Sequence, residues 1–349
     1  MKEIKNILVI RIRRLGDSIL SEAVCETLRS SFPDANIDYL LNSGLEELFL
    51  NNPNIDNILS IDEKENKSLF KYIKKVINIV FSKKYDIIID VRSTPKTYLF
   101  SIFSFFRTKY RIGKKKKFRR LFYTHVTNDV EYRKGSIVGM HLSYLKPLEK
   151  EYNIKYLRDF KVYLSKEEIE KSKDYMRSKN IDFNKKRIML SVNARVKNKK
   201  WPAEKFKQVV NDIASKYDVQ FIYYYDKSEK NETIEIAEYI GLNNISFYNL
   251  ETNTLRELAS LISNCDFFFG NEGGPRHISQ ALQIPSFAIY PPSANKQEWL
   301  PSNVFRYQGI EAEDINRSYS NIKDYEEKFS KISVRDVENL LFPMLDMYI

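Results

Sequence analysis

Cysteine is almost missing from this 349-residue chain: Cys25 and Cys265 are the only two, and they lie far apart. That excludes a disulfide scaffold, a metal knuckle and a paired-cysteine redox motif, and it points to a reducing, cytosolic compartment. Histidine is nearly as scarce. His125, His141 and His277 share no H-E-x-x-H spacing, which argues against a histidine-rich metal site. Ten glycines and eleven prolines are too few for a collagen-like or linker-dominated architecture. The glycines never form G-x-G-x-x-G, G-x-x-x-x-G-K-[ST] or G-x-S-x-G, so the dinucleotide fingerprint, the P-loop and the nucleophile elbow are absent. Long apolar runs are lacking too. The nearest candidate, Tyr98–Phe106 (YLFSIFSFF), is half the roughly 18 residues a membrane span needs, and it contains two serines. The opening apolar run of four, Ile7–Ile10, meets Arg11, Arg13 and Arg14 at once and reads as a first strand rather than a signal peptide.

What is present is an ample core and an uneven charge. Hydrophobic residues at 43% rule out a disordered chain, and 30% charged residues argue for a soluble one. The net charge of +11 is not shared out evenly. Residues 1–163 hold 31 Lys or Arg against 19 Asp or Glu, a balance of +12, whereas the remainder holds 26 against 27, or −1. The densest run is Lys114–Arg120, preceded by Arg107, Lys109 and Arg111. Such a field attracts phosphates, on nucleic acid, lipid or substrate; as a bland alternative it is a solvated loop.

The periodicity alternates strand and helix. Ile7–Ile10 is followed by a helical pattern over Asp17–Phe32, then by apolar runs at Ile37–Leu41 and Tyr85–Asp90, the last reached through a helix over Ser68–Phe81. The second half repeats the style. Strands are expected at Ile188–Val192, Val219–Tyr224, Ile245–Phe247, Asp266–Gly270 and Ser286–Tyr290. Helices are expected at Ala203–Lys216, Ser228–Ile240, Thr254–Asn264 and Gly274–Leu282. The fold class is therefore α/β, with two doubly wound parallel-sheet halves whose strand ends would flank a ligand cleft.

Two loops sit at strand ends. In the first, Arg11–Ser18 (RIRRLGDS), Gly16 permits a tight turn and Asp17 opens the helix. Asp17 is either an N-cap or, if Ser18 caps instead, a carboxylate free for chemistry. In the second, Gly270–His277 (GNEGGPRH), Gly273 and Gly274 expose backbone N–H groups at a helix start, an anion site suited to a diphosphate. His277 lies in the first turn beside it. The plain alternative is a sharp strand-to-helix turn with a partly buried histidine.

A strand followed by R-x-R-x-x-G-D and a helix ending in F-P-D-A-x-I-D resembles the glycosyltransferase family 9 heptosyltransferases. So does N-E-G-G-P-R-H-I-S-Q-A-L-Q-I-P, beside the family's usual N-D-[ST]-G-P-x-H-x-x-A-A-L-G-x-P. A third piece, Ser191–Pro202 (SVNARVKNKKWP), resembles the segment in which a basic residue precedes Trp-Pro. Three positions depart from the pattern: Glu272 stands where Asp is usual, Gly273 replaces a hydroxyl residue, and Pro291 replaces a glycine.

The resemblance implies a GT-B fold of two Rossmann-like domains facing a cleft. Residues 1–163 would bind the acceptor and 164–332 the nucleotide-sugar donor, with 333–349 a helix returning to the first domain. It implies inverting transfer of heptose from an ADP-activated donor to a lipopolysaccharide or lipooligosaccharide core. Asp17 would be the general base. Arg195, Lys199, Glu272, Gly273, Gly274 and His277 would hold the donor. Arg11, Arg13, Arg14, Lys96, Arg119 and Arg120 would face an anionic acceptor. No Asp-x-Asp pair lies near either loop, so no metal or other cofactor is required. The expected place is the cytosolic face of the bacterial inner membrane, with Tyr98–Phe106 either a buried helix or a surface touching lipid. The nearer alternative is a GT-B enzyme with another donor, or one with a protein or outer-glycan acceptor. The alternative from another class, a non-catalytic basic nucleic-acid-binding protein, is disfavoured because the phenylalanines near the basic run lie in an apolar segment, not as spaced stacking platforms.

Overall fold

The computed structural model of the chain describes residues 3–115, 121–128, 136–300 and 304–349. The chain divides into two compact units, Met1–Tyr163 and Leu164–Ile349. Each is built on a six-stranded, wholly parallel sheet.

In the first unit the strands are β1 (Asn6–Ile10), β2 (Asn36–Asn42), β3 (Asn57–Ile61), β4 (Ile87–Asp90), β5 (Tyr110–Lys114) and β6 (His125–Thr127), in the spatial order β3-β2-β1-β4-β5-β6. The central pair β1 and β4 read NILVI and IIID because helices cover both faces of a parallel sheet, so neither face tolerates alternation with polar residues. Leu8 and Ile10 point to a core completed by Tyr72, Val76, Ile79 and Val80 of helix α2 (Leu69–Ser82) and by Phe100 of α3 (Tyr98–Phe103). Helix α1 (Leu15–Ser31) connects β1 to β2.

The Tyr98–Phe106 segment is divided between the two expectations for it. Tyr98 and Phe100 are buried, while Phe105 and Phe106 stand in solvent. The basic cluster is divided as well. Arg111 is buried and donates to the carbonyls of Phe105 and Thr108, Lys109 pairs with Glu151, and Arg107 lies over the Phe81 ring. Arg119 and Arg120 fall outside the described residues.

One buried acid in this unit makes its stability depend on pH. Glu22, on α1, accepts hydrogen bonds from Asn52, Asn54 and the backbone N–H of Lys161, so it ties α1 to the segment leaving the unit. Burial raises its pKa to about 7 against the pull of those three donors. A carboxyl raised in this way contributes stability that is full below its unfolded value, near 4.5, and lost as pH rises through about 7. Wild-type protein should therefore lose up to about 3 kcal/mol from this group between pH 5 and 8. Glu22→Gln should flatten that dependence in thermal melts; parallel curves for the two proteins would refute it.

In the second unit the strands are β7 (Lys186–Ser191), β8 (Val219–Tyr223), β9 (Ser246–Phe247), β10 (Phe267–Asn271), β11 (Ser286–Ile289) and β12 (Tyr307–Ile310), ordered β12-β11-β10-β7-β8-β9. The principal helices are α4 (Ala203–Lys216), α5 (Lys230–Ile240), α6 (Leu255–Ile262), α7 (Gly274–Ala281) and α8 (Val334–Tyr348). The expected return of residues 333–349 to the first domain is corrected here. Val337, Leu341, Met344 and Leu345 share one face of α8, and that face is buried in the second unit's own core with Val209, Ile213 and Ile310. Lys216 and Tyr217 at the end of α4 also bond Asp346.

Among the described residues no helix is long and apolar enough to cross a membrane.

Candidate active site

A parallel sheet of this order reverses direction once, and the two loops at that reversal splay apart to leave a crevice beyond the strand ends. In the first unit the reversal lies between β1 and β4, and in the second between β7 and β10. The loops singled out in the sequence follow β1, β7 and β10, so they occupy both reversal points.

At the first point Asp17 is not an N-cap, and neither is Ser18. Helix α1 begins at Leu15, its N-cap Arg14 offers no side-chain bond, and Ser18 Oγ donates back to the Arg14 carbonyl. Gly16 is the second helical residue and makes no tight turn. The Asp17 carboxylate is instead clamped by two guanidinium groups. Arg11 Nη2 lies 2.5 Å from Oδ1, and Arg13 Nε lies 3.0 Å from Oδ2. The two arginines differ in freedom. Arg11 is 5% exposed and also donates to the Val91 carbonyl at 2.8 Å, across the reversal point, whereas Arg13 is 43% exposed.

The loop after β4 is organised by Asp90. It accepts from the backbone N–H groups of Arg92 and Ser93 and from the Tyr123 hydroxyl. Burial raises the Asp90 carboxyl despite those bonds. Arg92 was not apparent from the sequence. Burial lowers its pKa, and the charges of Arg13 and Arg11 lower it further, with Asp17 and Asp90 opposing. Its signal was position alone, two residues past a strand that ends at the reversal point. Arg14 is exposed. Lys96 is engaged with Asn66 and lies over the Tyr72 ring.

At the second point the strands are drawn together by Asn271, whose side-chain carbonyl accepts from the Trp201 N–H at 3.0 Å. Trp201 is itself buried edge-on to Phe206 and donates from its indole to the Ile332 carbonyl. This tie brings the β7 loop beside the β10 loop. Glu272 is the centre of what results. Its carboxylate lies 3.5 Å from His277 Nε2 and 3.9 Å from both Lys199 Nζ and Arg276 Nη2. Burial would raise its pKa, but the His277 hydrogen bond and the charges of Arg276, His277 and Lys199 outweigh burial and hold it at about 2.

His277 is buried in the first turn of α7 with its ring edge-on to Trp299. Gly273 is the N-cap of α7 in extended backbone (φ 177°), followed by Gly274 and Pro275, so the orphan N–H groups of the helix start point outward beyond β10. Arg276 is a second residue to which the sequence reading gave no role. Its side chain is fully buried, Nη2 lies 3.1 Å from His277 Nε2, and its Nε and Nη1 have no hydrogen-bond partner among the described residues. Arg195 stands apart from this group: it is 79% exposed and 4.0 Å from Asp226. Among the described residues no group of three or more His, Cys, Asp or Glu is placed to hold a metal ion.

The sequence profile of glycosyltransferase family 9 (heptosyltransferase) matches residues 73–312, which span β4 through β12 and the whole second reversal point. The chain belongs to glycosyltransferase family 9. It is accordingly a glycosyltransferase, and its two doubly wound units are those of the GT-B fold. Lipopolysaccharide heptosyltransferase 1 of Campylobacter coli is 25% identical over 348 residues, covering 96% of each chain. A glycosyl transferase of family 9 from Veillonella parvula superposes with a TM-score of 0.82 over 99% of both chains at 20% identity. The E. coli ADP-heptose lipopolysaccharide heptosyltransferase II does so with a TM-score of 0.75 at 17% identity, over 98% of this chain and 99% of that one.

Proposed function

We propose that this family 9 enzyme transfers heptose, with inversion, from ADP-heptose to an anionic lipopolysaccharide or lipooligosaccharide core acceptor, with Asp17 as general base. The observation that carries the reading is the pairing of two unlike sites. A carboxylate held by arginines stands at one reversal point, and a cluster of cations around a helix N-terminus stands at the other. Inversion needs a base on the acceptor hydroxyl and a sink for the charge gathering on the departing diphosphate.

The second unit supplies the sink. Lys199, His277 and Arg276 converge on Glu272, next to the helix start at Gly273 and Gly274. The Glu272 carboxylate accepts from His277 and balances the charges of Lys199 and Arg276 at 3.9 Å; a diphosphate takes over as their counter-charge, drawn also by the helix dipole. Arg195, exposed and only loosely paired, is free to swing onto the nucleotide.

The first unit supplies the base. Arg11 fixes one oxygen of Asp17 rigidly, while the exposed Arg13 is the releasable half of the clamp. An acceptor carboxylate or phosphate that draws Arg13 away, helped by Arg14 and Arg92, uncovers Oδ2 for the attacking hydroxyl. The bond from that hydroxyl oxygen to the anomeric carbon forms as the bond to the diphosphate breaks, and the proton passes to Asp17. Such coupling makes the acceptor's own charge a condition for exposing the base. Lys96 and the rest of the basic surface serve the acceptor at longer range, at the cytosolic face of the inner membrane.

The deciding measurement is ADP or other nucleotide release from a panel of nucleotide sugars, with and without a deacylated inner-core acceptor. ADP-heptose should be turned over, and release should rise at least tenfold when acceptor is added. Release from UDP- or GDP-sugars but not from ADP-heptose would overturn the donor assignment.

A further inference from the structure

The first unit carries an apolar surface that its fold does not use. On α2, Tyr72, Val76, Ile79 and Val80 are buried against the sheet, yet Phe70 is 79% exposed and Phe81 is 51% exposed. With the half-buried Ile73 and Ile77 between them, these residues form a second apolar stripe on one flank of the helix. The stripe continues onto the neighbouring segment. Arg107 lies 4.6 Å over the Phe81 ring, which joins α2 to the turn after α3. That turn presents Phe105 and Phe106, whose rings meet at 5.0 Å, and Phe106 is 96% exposed. Single exposed apolar residues are ordinary, but several aromatic ones on one helix flank and on the turn that Arg107 joins to it mark an interaction surface.

Charge indicates what that surface meets. Helix α2 holds Lys71, Lys74 and Lys75 and no acidic residue. Lys71 and Lys74 are exposed beside the stripe, and Arg107 stands within it. A two-fold contact with another copy would set these cations against each other. An anionic surface would attract them and accept the rings between its headgroups. We propose that the Phe70–Phe81 flank of α2 and the Phe105–Phe106 turn form the face by which the enzyme lies on an anionic bilayer. The rings enter the acyl boundary, and Lys71, Lys74 and Arg107 meet the lipid phosphates. This names the surface that brings the enzyme to a membrane-held acceptor, and to that extent it rests on the reading above.

The test is co-sedimentation of the full chain with vesicles of phosphatidylcholine alone or with about 30% phosphatidylglycerol. Wild type should bind the anionic vesicles and not the neutral ones, and about 0.5 M salt should weaken binding severalfold. Phe70→Ser and Phe106→Ser should each weaken binding about tenfold, and Lys71→Gln with Lys74→Gln more than tenfold together. Leu340→Ser, which removes an exposed apolar side chain from the second unit, should leave binding unchanged. Equal binding by Phe106→Ser and wild type, equal binding to both vesicle types, or a solution dimer dissolved by Phe106→Ser would overturn the proposal. None of these readouts involves donor or acceptor. Their failure would leave the reading of the catalytic site standing, and loss of turnover on a water-soluble acceptor would leave this surface standing.

Discussion

Asp17→Asn is expected to lower turnover at least ~100-fold while leaving donor affinity close to that of the wild type. Asparagine is the informative replacement because of how the carboxylate is held. Arg11 is nearly buried and reaches both Asp17 and the Val91 carbonyl, so Asp17→Ala would leave a guanidinium poorly paired beside Arg13 and Arg92. A loss of activity in the alanine variant would then mix lost chemistry with a rearranged loop. Asparagine keeps an oxygen for Arg11 and nearly the same volume, but its amide takes no proton from a sugar hydroxyl. The pair of variants separates the two effects: both should lose turnover, and the melting temperature should fall mainly for alanine. Donor affinity, read by titration calorimetry, should hold in both, because the cation cluster lies in the other unit. Turnover of Asp17→Asn within a few-fold of wild type would remove Asp17 from the mechanism.

With Asp17 as the proposed base, the same geometry gives the exposed Arg13 a role beside it. A base open to water at all times could activate water and hydrolyse the donor. Covering Oδ2 with Arg13 ties its exposure to an anion able to compete for the guanidinium, which water cannot do. On this proposal the price of that control is an ion pair that opens on each turnover. Because Arg13 is 43% exposed, the pair is screened and costs little to open, about 1 kcal/mol or less.

Much of the arrangement was legible in the sequence, and what was not has a physical reason. Buried parallel strands such as NILVI and FFFGN are continuous apolar runs and stand out against their flanks. Helix α4 is bounded at the residues its periodicity indicates, because Pro202 blocks extension upstream and Tyr217 turns to extended backbone. The strands that escaped notice are β3, β5, β6 and β12. All four lie at or next to a sheet edge; β3 and β12 interleave polar residues, as in NILSI and YQGI, and β6 is three residues long. Edge strands bury only part of their surface, so their sequences carry little pattern.

At the site, the motif residues Lys199, Glu272 and His277 do meet. Their partner Arg276 was hidden because a fully buried arginine looks in sequence like a surface charge. Asp17 stands out by its place at a helix start, but the sequence does not pair it with Arg11 and Arg13, whose charge there reads as acceptor-facing alone. Side-chain pairing within four to six residues depends on rotamers that no spacing rule supplies. The basic run was the least informative feature. Arg111 turns inward, Lys109 and Arg107 find partners, and charge counting cannot tell a buried guanidinium from a solvated one.

Gly270→Ala should be the most damaging small substitution in the second unit. Gly270 has φ +153°, a conformation that side-chain-bearing residues rarely adopt. A Cβ there would stand 2.3 Å from the Ser191 carbonyl oxygen and 2.7 Å from the Ser191 carbonyl carbon and nitrogen. Those are backbone atoms of β7, and β10 is paired on its other side with β11, so neither neighbour can step aside without breaking a ladder. Backbone strain and overpacking together should cost about 3–5 kcal/mol. That corresponds to a fall of roughly 6–20 °C in the melting temperature of the second unit, read by calorimetry. The damage should also reach the proposed donor site. Moving β10 away from β7 pulls Asn271 from the Trp201 N–H and carries Glu272 and α7 away from Lys199, so donor affinity should fall even at temperatures where the variant is folded. Gly273→Ala supplies the contrast two residues beyond the strand's Asn271. Its φ of 177° suits any residue, and a Cβ would meet only the Pro275 ring at 3.8 Å. It should melt within about 1 °C of wild type, since substitutions without a clash or a strained backbone are usually near neutral. If Gly270→Ala melts alongside Gly273→Ala, the close approach of β10 to β7 is not what holds the loops after those two strands together.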